Sequence, residues 1–219
     1  MNSARIRRLV DAGMTVVLFF LMGFPFFGME AHMAAGAGFF LLLFVHHWLN
    51  RRWAPSLRRG RWNAVRRLTA GAHLALFLVM AALLWSSLIL ARPTVPFLPR
   101  LGSMMLGREM HMAAAYWGFL VMGFHIGLHG DMFASMTRKL SAGKKKILSA
   151  AAPLFALYGA YAFWSRGWTG SLFLQNEYVF FDFKEAKLLY YVDHAAILAL
   201  CIWLGWQAML GARQLQRRK

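Results

Sequence analysis

Six apolar runs, each long enough for a helix that crosses a bilayer, leave this 219-residue chain few ways to fold. They are Leu9–Gly28, Met29–Asn50, Thr69–Ala91, Glu109–Gly130, Ile147–Ser165 and Leu188–Gly211. A helix needs about 20 apolar residues to span the hydrocarbon core. The expected fold class is therefore an all-α membrane protein, a six-transmembrane-helix bundle forming a single domain over residues 1–219. A mean hydropathy of +0.46, with 59% hydrophobic residues, agrees with that class.

The net charge of +17 would suggest nucleic acid in a soluble protein. Here the basic residues cluster between the apolar runs, so topology accounts for them and no nucleic-acid partner is expected. The N-terminus, the connections Arg51–Arg67 and Met132–Lys146, and the tail hold 19 of the 25 Lys and Arg residues. In a six-span chain these four segments share a side. Six of the eight acids, Glu30, Glu109, Glu177, Asp182, Glu185 and Asp193, fall on the other side. The positive-inside rule then puts both termini in the cytoplasm. The basic start before the first run has the layout of a signal peptide. No small-x-small cleavage site follows, and the second run begins at once, so the first run is expected to stay as a span. Pro25 should sharpen the turn between the two.

One segment occurs twice. Residues 30–50 read EAHMAAGAGFFLLLFVHHWLN and residues 109–129 read EMHMAAAYWGFLVMGFHIGLH. A shift of 79 residues aligns Glu30 with Glu109, His32 with His111 and His46 with His125 without a gap. The two histidines of each copy are 14 residues apart, and four helical turns take about 14.4 residues, so they share a face roughly 21 Å apart along the axis. In the six-span topology both copies run from outside to inside. His32 and His111 are then expected at the outer level, and His46 and His125 at the inner level. Ligating side chains within a span are functional candidates by default. Two imidazoles at each of two depths suit two b-type haems, each ligated on both faces through the iron. Interhelical hydrogen bonding is the plainer account of one intramembrane histidine, but it explains a duplicated quartet poorly.

The other candidates stay open. His47 neighbours His46 about 100° around the helix and is its alternative as ligand. His129, one turn after His125, is an alternative ligand, a partner for a propionate or a quinone, or an interfacial histidine with no special role. Arg108, Arg51 and Arg52 could pair with haem propionates. His73 and His194 lie at ligand-like depths outside the repeat and read as polar packing residues. Gly36, Gly38, Ala35, Ala114, Ala115 and Gly118 would admit a flat macrocycle or close helix packing equally well. Met33 and Met112 follow the first histidine of each copy and read as packing, because adjacent helical residues cannot face one iron. The single cysteine, Cys201, excludes an internal disulfide framework and a cysteine-ligated cluster. No Cys-x-x-Cys-His, Gly-x-Gly-x-x-Gly or P-loop is present.

These residues resemble the flavinylation-associated cytochromes, bacterial membrane cytochromes b. The likeness covers most of the chain. It rests on the helix ending HHWLNRRW (His46–Trp53) with its basic loop, and on His111 with HIGLH (His125–His129). It rests also on LYGAYAFWSRGW and on LFLQNEYVFFDFKEAKLLYYVDHAAI (Leu172–Ile197). More distantly, the paired histidines look like those of di-haem cytochrome b subunits of formate dehydrogenases and hydrogenases. The resemblance implies electron transfer between the quinone pool and an extracytoplasmic flavoprotein carrying covalent FMN. It implies two haems b on His32, His46, His111 and His125, in the bacterial cytoplasmic membrane. The chain lacks a flavinylation motif, so the flavin would sit on the partner. The aromatic stretch Tyr178–Tyr191 reads as an interfacial segment covering the outer haem, as a quinone or docking surface, or as both.

The expectation is an electron-transfer subunit of an oxidoreductase system, in contact with membrane lipid and quinol. Two rivals stand beside it. One is a transmembrane ferric or quinone reductase with its own substrate site. The other is a haem-free transporter or assembly protein using the histidines for protons or metal.

Overall fold

The computed structural model describes residues 3–56, 62–138, 140–175 and 184–217. Among these the regular structure is all helical: α1 (Ser3–Met22), α2 (Phe24–Asn50), α3 (Trp53–Ser56), α4 (Ala64–Ala91), α5 (Met104–Leu128), α6 (Asp131–Thr137), α7 (Ala142–Ser165), α8 (Trp168–Leu172) and α9 (Lys187–Arg217). Four of them, α2, α4, α7 and α9, are long and apolar enough to cross a membrane. Large apolar side chains on these helices, among them Leu41, Phe44, Leu74, Phe77, Leu157 and Leu204, are exposed. That is the wrong side for a water-soluble core and the right one for lipid. The other two expected spans, α1 and α5, are helical but hold no 18-residue stretch that is both as apolar and as free of charge. The first carries Arg5, Arg7, Arg8 and Asp11, and the second Arg108, Glu109, His111 and His125.

Several helices start before their apolar runs, because polar caps start them. Asn63 accepts the Arg66 backbone N–H at 2.9 Å, so α4 begins five residues before Thr69. The Ser103 hydroxyl accepts from the Leu106 N–H at 3.1 Å and starts α5 at Met104. Lys144, Lys145 and Lys146, expected in a loop, lie in the first turns of α7. The basic connection before them contains α6. Of the aromatic stretch, residues 176–183 lie outside the described residues, as do Arg58, Arg59 and Arg61 of the first basic loop.

The chain divides into two compact units, Met1–Arg61 with Phe181–Lys187, and Trp62–Phe180 with Leu188–Lys219. The first is an antiparallel hairpin of α1 and α2. Gly13 faces Leu42, and Gly36 faces Leu21. Pro25 stands in the first turn of α2, where its missing N–H costs nothing. Three residues on, Gly28 adopts φ 78° and ψ 178°, a conformation that L side chains rarely reach, and interrupts the helix. The histidine-bearing part of α2 thus begins after Gly28, close to the expected boundary at Met29.

In the second unit four helices alternate in direction. α4 and α5 are antiparallel: Ile89 meets Gly107, Val79 and Met80 meet Gly118, and Ala72 shares a core with Leu128 and Met209. Gly118 is thus seated against α4. α5 and α9 run parallel and come into backbone contact. A Cβ on Gly127 would lie 2.1 Å from the Ile202 carbonyl oxygen, and one on Gly205 would lie 2.1 Å from that of Phe124. Such approach is the packing that small residues allow between helices in lipid. α7 runs against α9, with Gly159 under the Ala196 carbonyl. At the same end Arg166 donates to Asp193 at 2.7 Å, and the Tyr158 hydroxyl donates to it at 2.5 Å. Gly167, at φ 63°, turns the chain into α8 and drives Trp168 into the unit, where it is 1% exposed. Its ring lies 4.8 Å from Tyr116, 5.3 Å from Phe119 and 5.5 Å from His194.

Two substitutions on α9 separate packing from helix propensity. Gly205→Ala should destabilise the protein by about 1–3 kcal/mol through overpacking. Gly211→Ala, where a Cβ meets open space, should be neutral or stabilise by up to about 1 kcal/mol. Melting temperatures in detergent check both. Asp193→Asn, which takes the carboxylate from half-buried Arg166, should cost about 2 kcal/mol in the same assay.

Candidate functional site

In the first unit α2 carries His32, His46 and His47. The antiparallel register with α1 brings Asp11 opposite His46, and His46 Nδ1 lies 2.7 Å from the Asp11 carboxylate. A carboxylate only accepts, so the ring donates Nδ1–H, and in a neutral ring Nε2 is then the nitrogen with the lone pair. That is the tautomer a metal-ligating histidine needs, held by the kind of partner that usually holds it. His47 Nδ1 lies 2.9 Å from the Leu43 carbonyl of its own helix, which turns its ring away from that of His46 at an interplanar angle of 72°. His32 lies edge-on to Phe24 with centroids 5.2 Å apart, and a hydrogen bond joins it to the Leu21 backbone.

The second unit holds the other copy on α5. His111 Nδ1 faces the Ser86 hydroxyl at 3.3 Å and the Ser87 hydroxyl at 3.4 Å. Ser86 is fully buried and its one hydroxyl proton goes to the Leu83 carbonyl at 2.9 Å. Its oxygen is therefore left to accept at Nδ1, while the Ser87 hydroxyl can donate or accept there. Like the His46 contact, this one reaches across to a neighbouring helix. At the far end of α5, His125 lies between two further rings. His73 of α4 and His129, the residue that caps α5, each place their ring centroids 4.9 Å from it. The ligand nitrogens of the three lie within 4.8 Å of one another. His73, expected to be a packing residue, thus belongs to a histidine cluster.

His194 fits the packing expectation. It is 2% exposed, stacks on Tyr190 at 4.0 Å and bonds the Tyr190 carbonyl through Nδ1 at 2.8 Å. Arg108 lies exposed in the first turns of α5, while Arg51 and Arg52 are exposed beyond α2. Two apolar clefts flank α5. One, of about 430 Å³, is walled by Gly71, Ala72, Ala75, Val121, Phe124 and Leu204 and lies at the level of His73 and His125. The other, of about 420 Å³, lies towards the His111 end, between Leu78, Ala82, Met110 and Trp117.

The quartet divides two and two between the units, His32 and His46 in the first and His111 and His125 in the second. Asp11, Ser86, Ser87 and His73 are the residues that a reading of the repeat alone misses. Asp11 carried a signal, since an acid inside an apolar run needs a partner. The serines carried none. Comparison with protein-family models, with curated proteins and with solved structures finds no match to this chain.

Beside the cluster, Arg213 donates to both carboxylate oxygens of Asp131, one of them at 3.0 Å. This bond holds the carboxyl below its ordinary range, and the nearby His129 adds in the same direction. A depressed carboxyl stabilises the fold above its unfolded pKa, and the gain is lost as pH falls through the folded value. The pair is exposed, so Asp131→Asn should cost at most about 1 kcal/mol at pH 7. The difference should close below about pH 4. Melts at both pH values check this.

Proposed function

We propose that the chain is a multi-pass b-type cytochrome of the bacterial cytoplasmic membrane, carrying electrons between the quinone pool and an extracytoplasmic flavoprotein with covalent FMN. The observation that carries this reading is the duplicated histidine spacing, together with a cross-helix contact at Nδ1 of one histidine in each copy. His46 Nδ1 bonds Asp11, and His111 Nδ1 faces the Ser86 and Ser87 hydroxyls. In the neutral Nδ1–H tautomer each ring would offer Nε2 as its ligand atom.

The reading keeps six spans with both termini in the cytoplasm. Helices α1 and α5 complete the set begun by the four more apolar ones. His32, His46, His111 and His125 hold two haems b. Iron ligated on both faces exchanges electrons without binding a substrate. The residues around the ligands do the rest. Asp11 makes His46 a more basic ligand, which favours the oxidised state of the iron it holds. Ser86 and Ser87 supply a neutral and weaker version of the same contact to His111. The cleft beside His125, walled by Gly71, Ala72 and Ala75, gives a flat macrocycle an apolar, water-poor bed. The flavin partner and the quinone rest on the resemblance to the flavinylation-associated cytochromes.

A reduced-minus-oxidised spectrum with pyridine haemochrome quantification tests the proposal. Two haems b per chain are expected, with His32→Ala and His125→Ala each losing a different one. Protein made with ample haem supply that carries none would sink the reading. Asp11→Asn should keep both haems and raise the midpoint potential of one of them in a redox titration. An unchanged pair of potentials would show that Asp11 does not act on a ligand.

A further inference from the structure

We propose that His73, His125 and His129 form a binding site for a divalent first-row transition-metal ion, which competes with haem iron for His125. The ion site stands apart from the haem reading, with which it shares His125; the competition with haem rests on that reading.

The cluster is built from three positions with rigid supports. His125 and His129 stand one turn apart at the end of α5, the i, i+4 spacing that lets two imidazoles of one helix hold the same ion. His73 comes from the antiparallel helix α4. Its register is set next door, where Ala72 packs with Leu128 and Met209. The end of α5 is pinned as well. The His129 N–H returns to the Ile126 and Gly127 carbonyls, and Gly130 lies against the Trp206 indole with no room for a Cβ. The backbone atoms carrying the three rings are therefore fixed before any ion arrives.

The distances suit an ion after a small adjustment. Metal–imidazole bonds of about 2.0–2.1 Å place ligand nitrogens about 3.4 Å apart in a tetrahedral site. The three nitrogens lie within 4.8 Å of one another, so ring rotation of about 1 Å closes the difference without moving a helix. Three imidazoles and no carboxylate ligand select zinc, cobalt, nickel or copper over magnesium and calcium. His73 and His125 are half-buried, whereas His129 is exposed. The ion would enter from the aqueous side past His129 and keep a water in its fourth position. The Asp131 carboxylate, close enough to His129 for each to feel the other's charge, would offset part of the ion's charge.

A neutral imidazole has one lone-pair nitrogen and so serves one metal at a time. A bound ion should therefore exclude haem iron from His125, and haem should displace the ion. Metal availability would then set how many haems the chain carries.

The test uses the full-length, tag-free protein in detergent, prepared from cells deprived of haem precursors, with Co²⁺ as the probe. Wild type should bind one Co²⁺ per chain, with the visible bands of a nitrogen-ligated, four-coordinate ion, and release it to Zn²⁺ or to added haem. His73→Ala and His129→Ala should each weaken binding at least about tenfold. His129→Gln, a change at an exposed helix end, keeps a folded variant in the series, and circular dichroism confirms helicity throughout. No stoichiometric Co²⁺ in folded wild type, or equal binding by the variants, would overturn the site. Co²⁺ binding by a chain that takes up no haem would support the site and overturn the cytochrome reading. Haem uptake with no Co²⁺ binding would do the reverse.

Discussion

The second unit depends on helices touching backbone to backbone. At Gly127 and Gly205, α5 and α9 approach until each glycine lies against a carbonyl of the other helix, and Gly159 brings α7 to α9 in the same way. In lipid, burying apolar side chains between helices gains little over leaving them against acyl chains, so close van der Waals contact has to supply the cohesion. This contact fixes the rotation of α5 about its own axis. That rotation in turn decides which way His111, His125 and His129 can face. The aromatic packing around Trp168 and the Arg166–Asp193–Tyr158 group secure the opposite end of the same helices.

On this frame the histidines are differentiated by what holds their Nδ1 atoms. A carboxylate on α1 holds His46, two hydroxyls on α4 face His111, and local carbonyls hold His47 and His194. The last two contacts stay within one helix, and the first two reach across to a neighbouring one. A cross-helix contact orients a ring relative to a second element, which is what a ligand needs, whereas a contact within one turn satisfies a donor. Burial alone would have ranked them differently, since His194 is the most enclosed of these four.

Much of this was legible in the chain. The apolar runs located the long helices, because span length is a property of consecutive residues. The repeat singles out His32, His46, His111 and His125 as a set, because 14 residues nearly complete four turns. Helix starts were less legible. Asn63 and Ser103 begin α4 and α5 through hydrogen bonds to residues three positions on, inside stretches that hydropathy marks as polar. The partners of the histidines were illegible for a different reason. Asp11 and His46 are 35 residues apart and Ser86 and His111 are 25 apart, and only the register of an antiparallel hairpin brings each pair together. His73 sits outside the repeat and faces His125 for the same reason.

The polarity of α5 has a consequence for how such a chain is made. No 18-residue stretch of α5 is as apolar as the best stretch of α2, α4, α7 or α9, and His111 and His125 are part of the reason. α4, the most apolar of those four, precedes it by a short connection and lies antiparallel along it. For a chain that enters a membrane during synthesis, a segment too polar to partition alone can enter as the second arm of a hairpin. The contacts of His111 with Ser86 and of His125 with His73 would then form inside that hairpin. As a membrane span, α5 would owe its place to the helix made just before it.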